Sequence, residues 1–155
     1  MKRVLFVCMG NICRSPTAEG VLRQIARDRG VEDAVEIDSA GTGNWHVGNP
    51  PDHRAQEAAF RRGIDLSGLR ARQVGADDME YYDLIVAMDR RNRSHLVSMA
   101  QPRHRHKIRF LLEFSEQYEQ EEVPDPYYGG DHTFDLVLDM IEESCERLLD
   151  TIADR

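Results

Sequence analysis

Cysteine is scarce in this sequence and odd in number: Cys8, Cys13 and Cys145 are the only three among 155 residues. Three thiols make a poor disulfide framework, so reduced cysteines and a cytoplasmic setting are expected. No apolar run approaches the roughly 18 residues of a membrane span, so no membrane role is expected. Met1-Lys2-Arg3 carries the charge of a signal peptide, but the apolar run behind it is only strand-length. Excess positive charge is missing too. Lys and Arg total 20 against 28 Asp and Glu, a net charge of −8, which argues against nucleic acid as a partner. Nucleotide loops are also absent: Gly41-Thr42-Gly43 fails the dinucleotide spacing, and no Gly-Lys-Ser/Thr occurs. There is no internal repeat, linker or low-complexity tract. A chain of this length, 41% apolar, fits one domain spanning residues 1–155.

What is present is concentrated near the start. Val4-Leu5-Phe6-Val7 is a short apolar run with β-branched ends, the pattern of a strand buried on both faces. Ser15-Pro16 follows as a helix start, with Ser as N-cap and Pro at the first helical position. Between them runs Cys8-Met9-Gly10-Asn11-Ile12-Cys13-Arg14. A tight loop that feeds a helix N-terminus is an anion site, because its N–H groups point inward and the helix adds partial positive charge. Arg14 adds a full charge and a planar fork that matches two phosphate oxygens. Cys8 stands where the anion would bind, so the same groups favour its thiolate. A thiolate facing a bound phosphate is a nucleophile aimed at phosphorus, which suggests transfer through a phosphocysteine. The plainer account, a buried structural cysteine followed by a chance arginine, is weakened by the strand and the helix start on either side.

These residues identify a resemblance. Cys8 to Pro16 is similar to the signature of the low-molecular-weight protein tyrosine phosphatases of bacterial type. The similarity continues at Asp38-Ser39-Ala40-Gly41-Thr42, Gly48, Pro51-Asp52, Ala71-Arg72-Gln73, Met88-Asp89 and Asp125-Pro126-Tyr127-Tyr128-Gly129-Gly130. It extends from residue 3 into the last helix. One departure is visible: the family often has a histidine two residues before Ala-Arg-Gln, and here that place holds Leu69.

The rest of the chain reads as α/β. A first helix is predicted from about Pro16 to Arg29, stopped by Gly30. Val35-Glu36-Ile37 is a second strand, and residues 39–51 form a functional loop rich in Gly and Pro. Asp52 caps a second helix that ends near Gly63. Leu84 to Met88 is a third buried strand, with Asp89 capping the helix behind it. Ile108 to Leu112 suggests a fourth strand, residues 113–132 an acidic loop, and Thr133 the cap of a terminal helix. Its face of Phe134, Val137, Leu138, Ile141, Cys145, Leu148, Leu149 and Ile152 is apolar, so Cys145 is expected in the core. Strands alternating with helices imply a single-domain three-layer sandwich: an open four-stranded parallel sheet with helices on both faces and the phosphate loop after the first strand. The site should lie at the carboxyl ends of the strands.

Phenol has a pKa near 10, so a tyrosine leaving group needs a proton. The resemblance assigns that proton to Asp125, which then serves as general base for the hydrolytic water. Spacing alone does not choose it among 28 acidic residues. Arg14 should bind equatorial phosphate oxygens. Met9, Gly10, Ile12 and Cys13 complete the loop, and Asn11 suits a left-handed backbone position. By resemblance, Asn11, Ser15 and Ser39 form one hydrogen-bond network beneath it, and Ser15 has two readings: helix cap only, or cap plus a hydroxyl that stabilises the Cys8 thiolate as leaving group. Ile12, Trp45, Tyr127 and Tyr128 are candidates to sandwich a flat ring. His104 and His106 alternate on a strand approach, but no Cys or carboxylate nearby completes a metal set. No metal and no cofactor are therefore expected.

Three rival readings stand beside this one: a protein arginine phosphatase, which typically carries Thr at the place of Ile12; an arsenate reductase, which needs further relay cysteines; and a non-catalytic phosphoprotein-binding module. The resemblance implies a tyrosine-phosphorylated protein as partner, among bacterial members a tyrosine kinase or its substrates. It also makes Cys13 a redox partner of Cys8.

Overall fold

The computed structural model describes residues 1–152. Strand β1 (Lys2–Cys8) is buried on both faces, with Val4, Leu5, Phe6 and Val7 at 0% exposure. Such burial marks a central strand of a parallel sheet. Strand β2 (Val35–Gly41) lies on one side of it, β3 (Leu84–Ala87) on the other, and β4 (Ile108–Phe110) beyond β3. All three pairings are parallel.

The helices are α1 (Arg14–Asp28), α2 (His53–Phe60), α3 (Ala76–Tyr81), α4 (Arg90–Met99) and α5 (Asp131–Ile152). Alternation along β1 divides the core between them. Val4, Phe6 and Cys8 pack with α1, α2 and α5, while Leu5 and Val7 pack with Met79 of α3 and Leu96 of α4. The sheet is thus covered on both faces, as the sequence predicts. Leu148 of α5 is fully buried, and a side chain in that position stabilises by about 1.5–3 kcal/mol.

The topology also places the site. β1 leads into α1 on one face and β3 leads into α4 on the other, which opens a crevice between their carboxyl ends. Cys8 closes β1 and Asp89 follows β3 on the two sides of that crevice.

Several boundaries differ from the sequence reading. Ser15 is not the N-cap of α1: the helix begins at Arg14, and Cys13 occupies the cap position without a side-chain bond. The Cys13 carbonyl accepts from the Thr17 N–H at 3.3 Å and from Thr17 Oγ1 at 2.6 Å, so the first turn closes one residue early. Pro16 becomes the third helical residue, where a missing N–H still costs nothing because first-turn donors lack intrahelical partners. β2 runs on to Gly41, so Ser39 is a strand residue and not part of the loop. β4 stops at Phe110 and Leu111–Phe114 turns into a 3₁₀ helix. α5 starts at Asp131, which leaves Thr133 inside the helix and not at its cap. His104 and His106 lie in a 3₁₀ turn, Pro102–Lys107, and not on a strand. Asp52 and Asp89 do cap their helices, accepting from Arg54 N at 2.8 Å and Asn92 N at 2.9 Å.

Candidate active site

The loop after β1 is wound around one sulfur. Cys8 Sγ accepts from the Asn11 N–H at 3.3 Å and lies 3.0 Å from Ser15 Oγ. Asn11 holds φ +57°, the left-handed region that Asn tolerates, and this turns its N–H inward. The end of β2 presses against the loop from below. Thr42 N donates to Cys8 O and Gly43 N to Met9 O, each at 2.9 Å. Gly41 makes the approach possible: a Cβ there would stand 2.7 Å from Met9 O and 3.1 Å from Asn11 N.

A chain of side chains under the loop sets the direction of each hydrogen bond. The Arg72 backbone N–H donates to Asn11 Oδ1 at 3.0 Å, which fixes the orientation of the amide. Asn11 Nδ2 then donates to Ser15 Oγ at 2.7 Å and to Ser39 Oγ at 3.0 Å. The Ser39 O–H in turn donates to Glu19 Oε1 at 2.7 Å. Ser15 Oγ is therefore an acceptor for Asn11, and its O–H is free for the sulfur, the nearer of two acceptors; the Ala40 carbonyl is 3.4 Å away. Glu19 is 3% exposed. Burial pushes its carboxyl above the ordinary range, partly offset by the bonds from Ser39 and Arg23. Arg23 grips Oε2 through Nε at 3.1 Å and Nη2 at 2.8 Å. Leu69 packs on the core, and the polar chain ends at the Glu19–Arg23 pair.

Arg14 lies beside the sulfur with 2% exposure. Its Nη1 donates to Asp89 Oδ2 at 2.8 Å and to the Val123 carbonyl at 2.9 Å. Nη2 faces Asp125 Oδ2 at 3.6 Å. Burial alone would lower the guanidinium pKa, but the neighbouring Cys8, Asp89 and Asp125 raise it above the ordinary value, so the charge is secure. Asp89 divides its labour, one oxygen capping α4 and the other holding Arg14. Asp125 Oδ1 accepts from the Tyr127 N–H at 3.1 Å, which leaves Oδ2 toward the site.

Above the loop opens a cleft of about 450 Å³ whose lining includes Cys8, Arg14, Ile12, Trp45, Asp125, Tyr127 and Tyr128. The structure thus brings together the four ring-sandwiching candidates. Ile12 forms wall near the floor, 9% exposed, while Trp45 stands at the rim, 68% exposed. Trp45 is folded over Gly43, where a Cβ would sit 1.7 Å from its Cζ3. The Tyr127 and Tyr128 rings meet edge to face at 5.0 Å. His46 also lines the cleft, packed against Gly10, and sequence reasoning passed it over. Ser39 lies beneath the loop, in contact with Asn11 and Glu19. Cys13 and Cys8 are both unpaired and buried. Burial, then the neighbouring Asp52 and Cys8, push the Cys13 thiol pKa up. Cys145 is likewise raised by burial, at 0% exposure in the core.

This geometry first defines a class, an enzyme that receives a tetrahedral oxyanion beside a thiol. The family follows from comparison with known proteins. Residues 3–155 match the model of the low molecular weight phosphotyrosine protein phosphatases, and the chain belongs to that family. It is 46% identical over 152 residues to the low molecular weight protein-tyrosine-phosphatase YfkJ of Bacillus subtilis, covering 98% of this chain and 96% of the relative. PtpA of Staphylococcus aureus, a protein of the same description, is 41% identical, covering 98% and 94%. Among solved structures, a protein tyrosine phosphatase from Entamoeba histolytica superposes with a TM-score of 0.96 at 35% identity, covering 99% of this chain and 98% of the other. YfkJ itself gives 0.92 at 45% identity, covering 99% and 95%. The chain is a protein tyrosine phosphatase, with the cysteine-based chemistry of its family.

Proposed function

We propose that Cys8 is the nucleophile, Arg14 the phosphate-binding arginine and Asp125 the general acid and base in hydrolysis of protein phosphotyrosine. One observation carries this reading: Cys8 Sγ takes hydrogen bonds from Asn11 N–H and Ser15, next to a buried Arg14 whose free nitrogen faces Asp125 at 3.6 Å. The thiolate attacks phosphorus opposite the aryl oxygen. As the S–P bond forms and the P–O bond breaks, the proton on Asp125 Oδ2 passes to the aryl oxygen. Oδ2 is the proton-bearing oxygen because Oδ1 already accepts from Tyr127 N–H. Arg14 and the loop N–H groups hold the equatorial oxygens. A water then attacks phosphorus and gives its proton to Asp125. The S–P bond breaks, its electron pair returns to sulfur, and the Ser15 O–H receives the thiolate.

Ile12 in the wall and the aromatic rim support a preference for phosphotyrosine over phosphoserine and phosphoarginine. The partner is a tyrosine-phosphorylated protein; by analogy with bacterial members, we infer a tyrosine kinase or one of its substrates. Three unpaired thiols support a cytoplasmic setting. Among the described residues no helix is long and apolar enough to cross a membrane.

Two variants test the assignment. Cys8→Ser should fold, bind inorganic phosphate and lose turnover; near wild-type hydrolysis would sink the covalent mechanism. Asp125→Ala should slow phosphotyrosine hydrolysis by about 10²–10⁴ and p-nitrophenyl phosphate hydrolysis far less, because an acidic phenol needs little protonation. Equal losses on both substrates would remove Asp125 from the acid role.

A further inference from the structure

Asp125 belongs to the segment between residues 115 and 130, which contains no helix or strand. A proton donor contributes only where it is held in position over the leaving oxygen. Within the segment, the Tyr127 N–H holds Asp125 Oδ1, and Gly129 N closes a turn on Pro126 O at 2.9 Å. Neither bond ties that turn to the body of the protein.

Arg54 of α2 does. Its Nη2 donates to the Tyr127 carbonyl at 2.8 Å and its Nη1 to the Gly129 carbonyl at 3.3 Å. The guanidinium carbon also lies 4.7 Å from the Phe134 ring centre and 5.6 Å from that of Tyr127. Tyr127 is thus gripped on both sides of its Cα: its N–H holds the Asp125 carboxyl, and its carbonyl is held by Arg54. Arg54 is itself fixed before it reaches out. Asp52 Oδ1 accepts from its backbone N–H at 2.8 Å and its Nε at 3.3 Å, and Oδ2 accepts from Nη2 at 3.3 Å. The backbone N–H of the same Asp52 donates to Ile12 O in the phosphate loop at 2.7 Å. A continuous path runs from phosphate loop to acid: Ile12 carbonyl, Asp52, Arg54, Tyr127, Asp125.

We propose that Arg54 is the positioning residue for Asp125, a latch that fastens the acid-bearing turn to the aspartate that also anchors the phosphate loop. The proposal rests on Asp125 acting as the acid. The task requires the arginine fork. One side chain satisfies a carboxylate and two separate carbonyls in one plane, which a lysine ammonium cannot reproduce with the same geometry. Arg54 does not line the cleft, so its effect on chemistry must pass through the turn.

The test is a leaving-group comparison on the full chain. In Arg54→Ala, kcat/KM for phosphotyrosine should fall about tenfold or more beyond the fall for p-nitrophenyl phosphate, in the pattern of lost acid catalysis. Inhibition by inorganic phosphate should stay within about twofold, because the phosphate loop keeps its own backbone bonds and the Asp52 N–H. Arg54→Lys should recover only part of the loss. In an Asp125→Ala background, adding Arg54→Ala should cost less than about twofold more, since no acid remains to be placed. If Arg54→Ala fails to fold, Arg54→Gln, which keeps one amide donor, takes its place in every comparison. Equal losses on both substrates, or losses that multiply in the double variant, would overturn the latch alone. A flat leaving-group profile for Asp125→Ala would overturn the acid assignment and the latch with it.

Discussion

Replacing Ser15 by Ala removes the side-chain hydrogen bond to the Cys8 sulfur and one acceptor for Asn11. The hydroxyl does not cap α1, whose first turn closes on the Cys13 carbonyl, so the helix start survives. Asn11 Nδ2 loses one acceptor and keeps Ser39 at 3.0 Å. A buried neutral hydrogen bond is worth about 0.5–1.5 kcal/mol, so Tm should fall by only a few degrees. The chemical effect is larger. A bond to a charged group contributes about 1.5–3 kcal/mol, and in the mechanism proposed above the Ser15 O–H, 3.0 Å from Sγ, serves the thiolate when it leaves phosphorus. At 1.36 kcal/mol per factor of ten, hydrolysis of the phosphocysteine should slow by about 10- to 150-fold. Its formation should slow much less, because a thiolate that is harder to stabilise is a stronger nucleophile. Stopped-flow release of p-nitrophenolate reads the two steps separately. The variant should show a full burst of one equivalent per enzyme, followed by a slow steady state, with kcat and KM falling together. A loss confined to the burst phase, or kcat within twofold of wild type, would refute the hydroxyl's role toward sulfur.

Two further outcomes are expected. The Glu19 pKa is raised in the folded protein, so between the ordinary Glu value of about 4.3 and the folded value the native state holds a proton that the unfolded chain has released. Its contribution to stability is therefore greatest below that window and falls as pH rises through it; urea melts should show Glu19→Gln gaining on wild type over the same range, and a pH-independent difference would refute this. Peroxide should oxidise Cys8 to the sulfenic acid, which condenses with the Cys13 thiol to a disulfide with loss of water. Because the Cys13 thiol pKa is raised, bridge formation should accelerate with rising pH, and thiol reductant should restore activity. Mass spectrometry should find a Cys8–Cys13 peptide; a bridge to Cys145, or full recovery of Cys13→Ser after the same exposure, would exclude Cys13 as the resolving thiol.

Much of this was legible in the chain because the chemistry is local. A buried strand, a seven-residue loop and a helix start are contiguous, so β1, Cys8 and Arg14 could be read from one stretch. Asp125 could not, since nothing in a long acidic loop distinguishes one carboxylate by spacing, and only the resemblance singled it out. Ser-Pro before a helix reads as a cap, with or without a hydroxyl turned to Cys8; the hydroxyl does meet sulfur and Asn11, and only the cap is lost, because the helix starts one residue early. Glu19 and Arg23 were invisible for a different reason: at i and i+4 on a helix they look like an ordinary surface pair. Burial of Glu19 depends on Ser39, twenty residues away, reaching it from β2. The reach of Arg54 was hidden likewise, since the carbonyls it holds on the acid-bearing turn lie more than seventy residues on. Helix α3, six residues long, is too short to show a period.

In the proposed mechanism Arg14 enters the reaction with half of its guanidinium already spoken for, Nη1 being shared between Asp89 and the Val123 carbonyl. That commitment limits how this position can drift. Lysine would preserve the charge, but its compact ammonium could satisfy the half-buried Asp89 and the Val123 carbonyl or face the substrate, not both. Abandoning the first pair would strand the end of β3 and the approach to the acid loop at once. The mildest exchange in the genetic alphabet is therefore closed here, and any lineage that gave up this arginine would have to rebuild residues 89 and 123 in the same step.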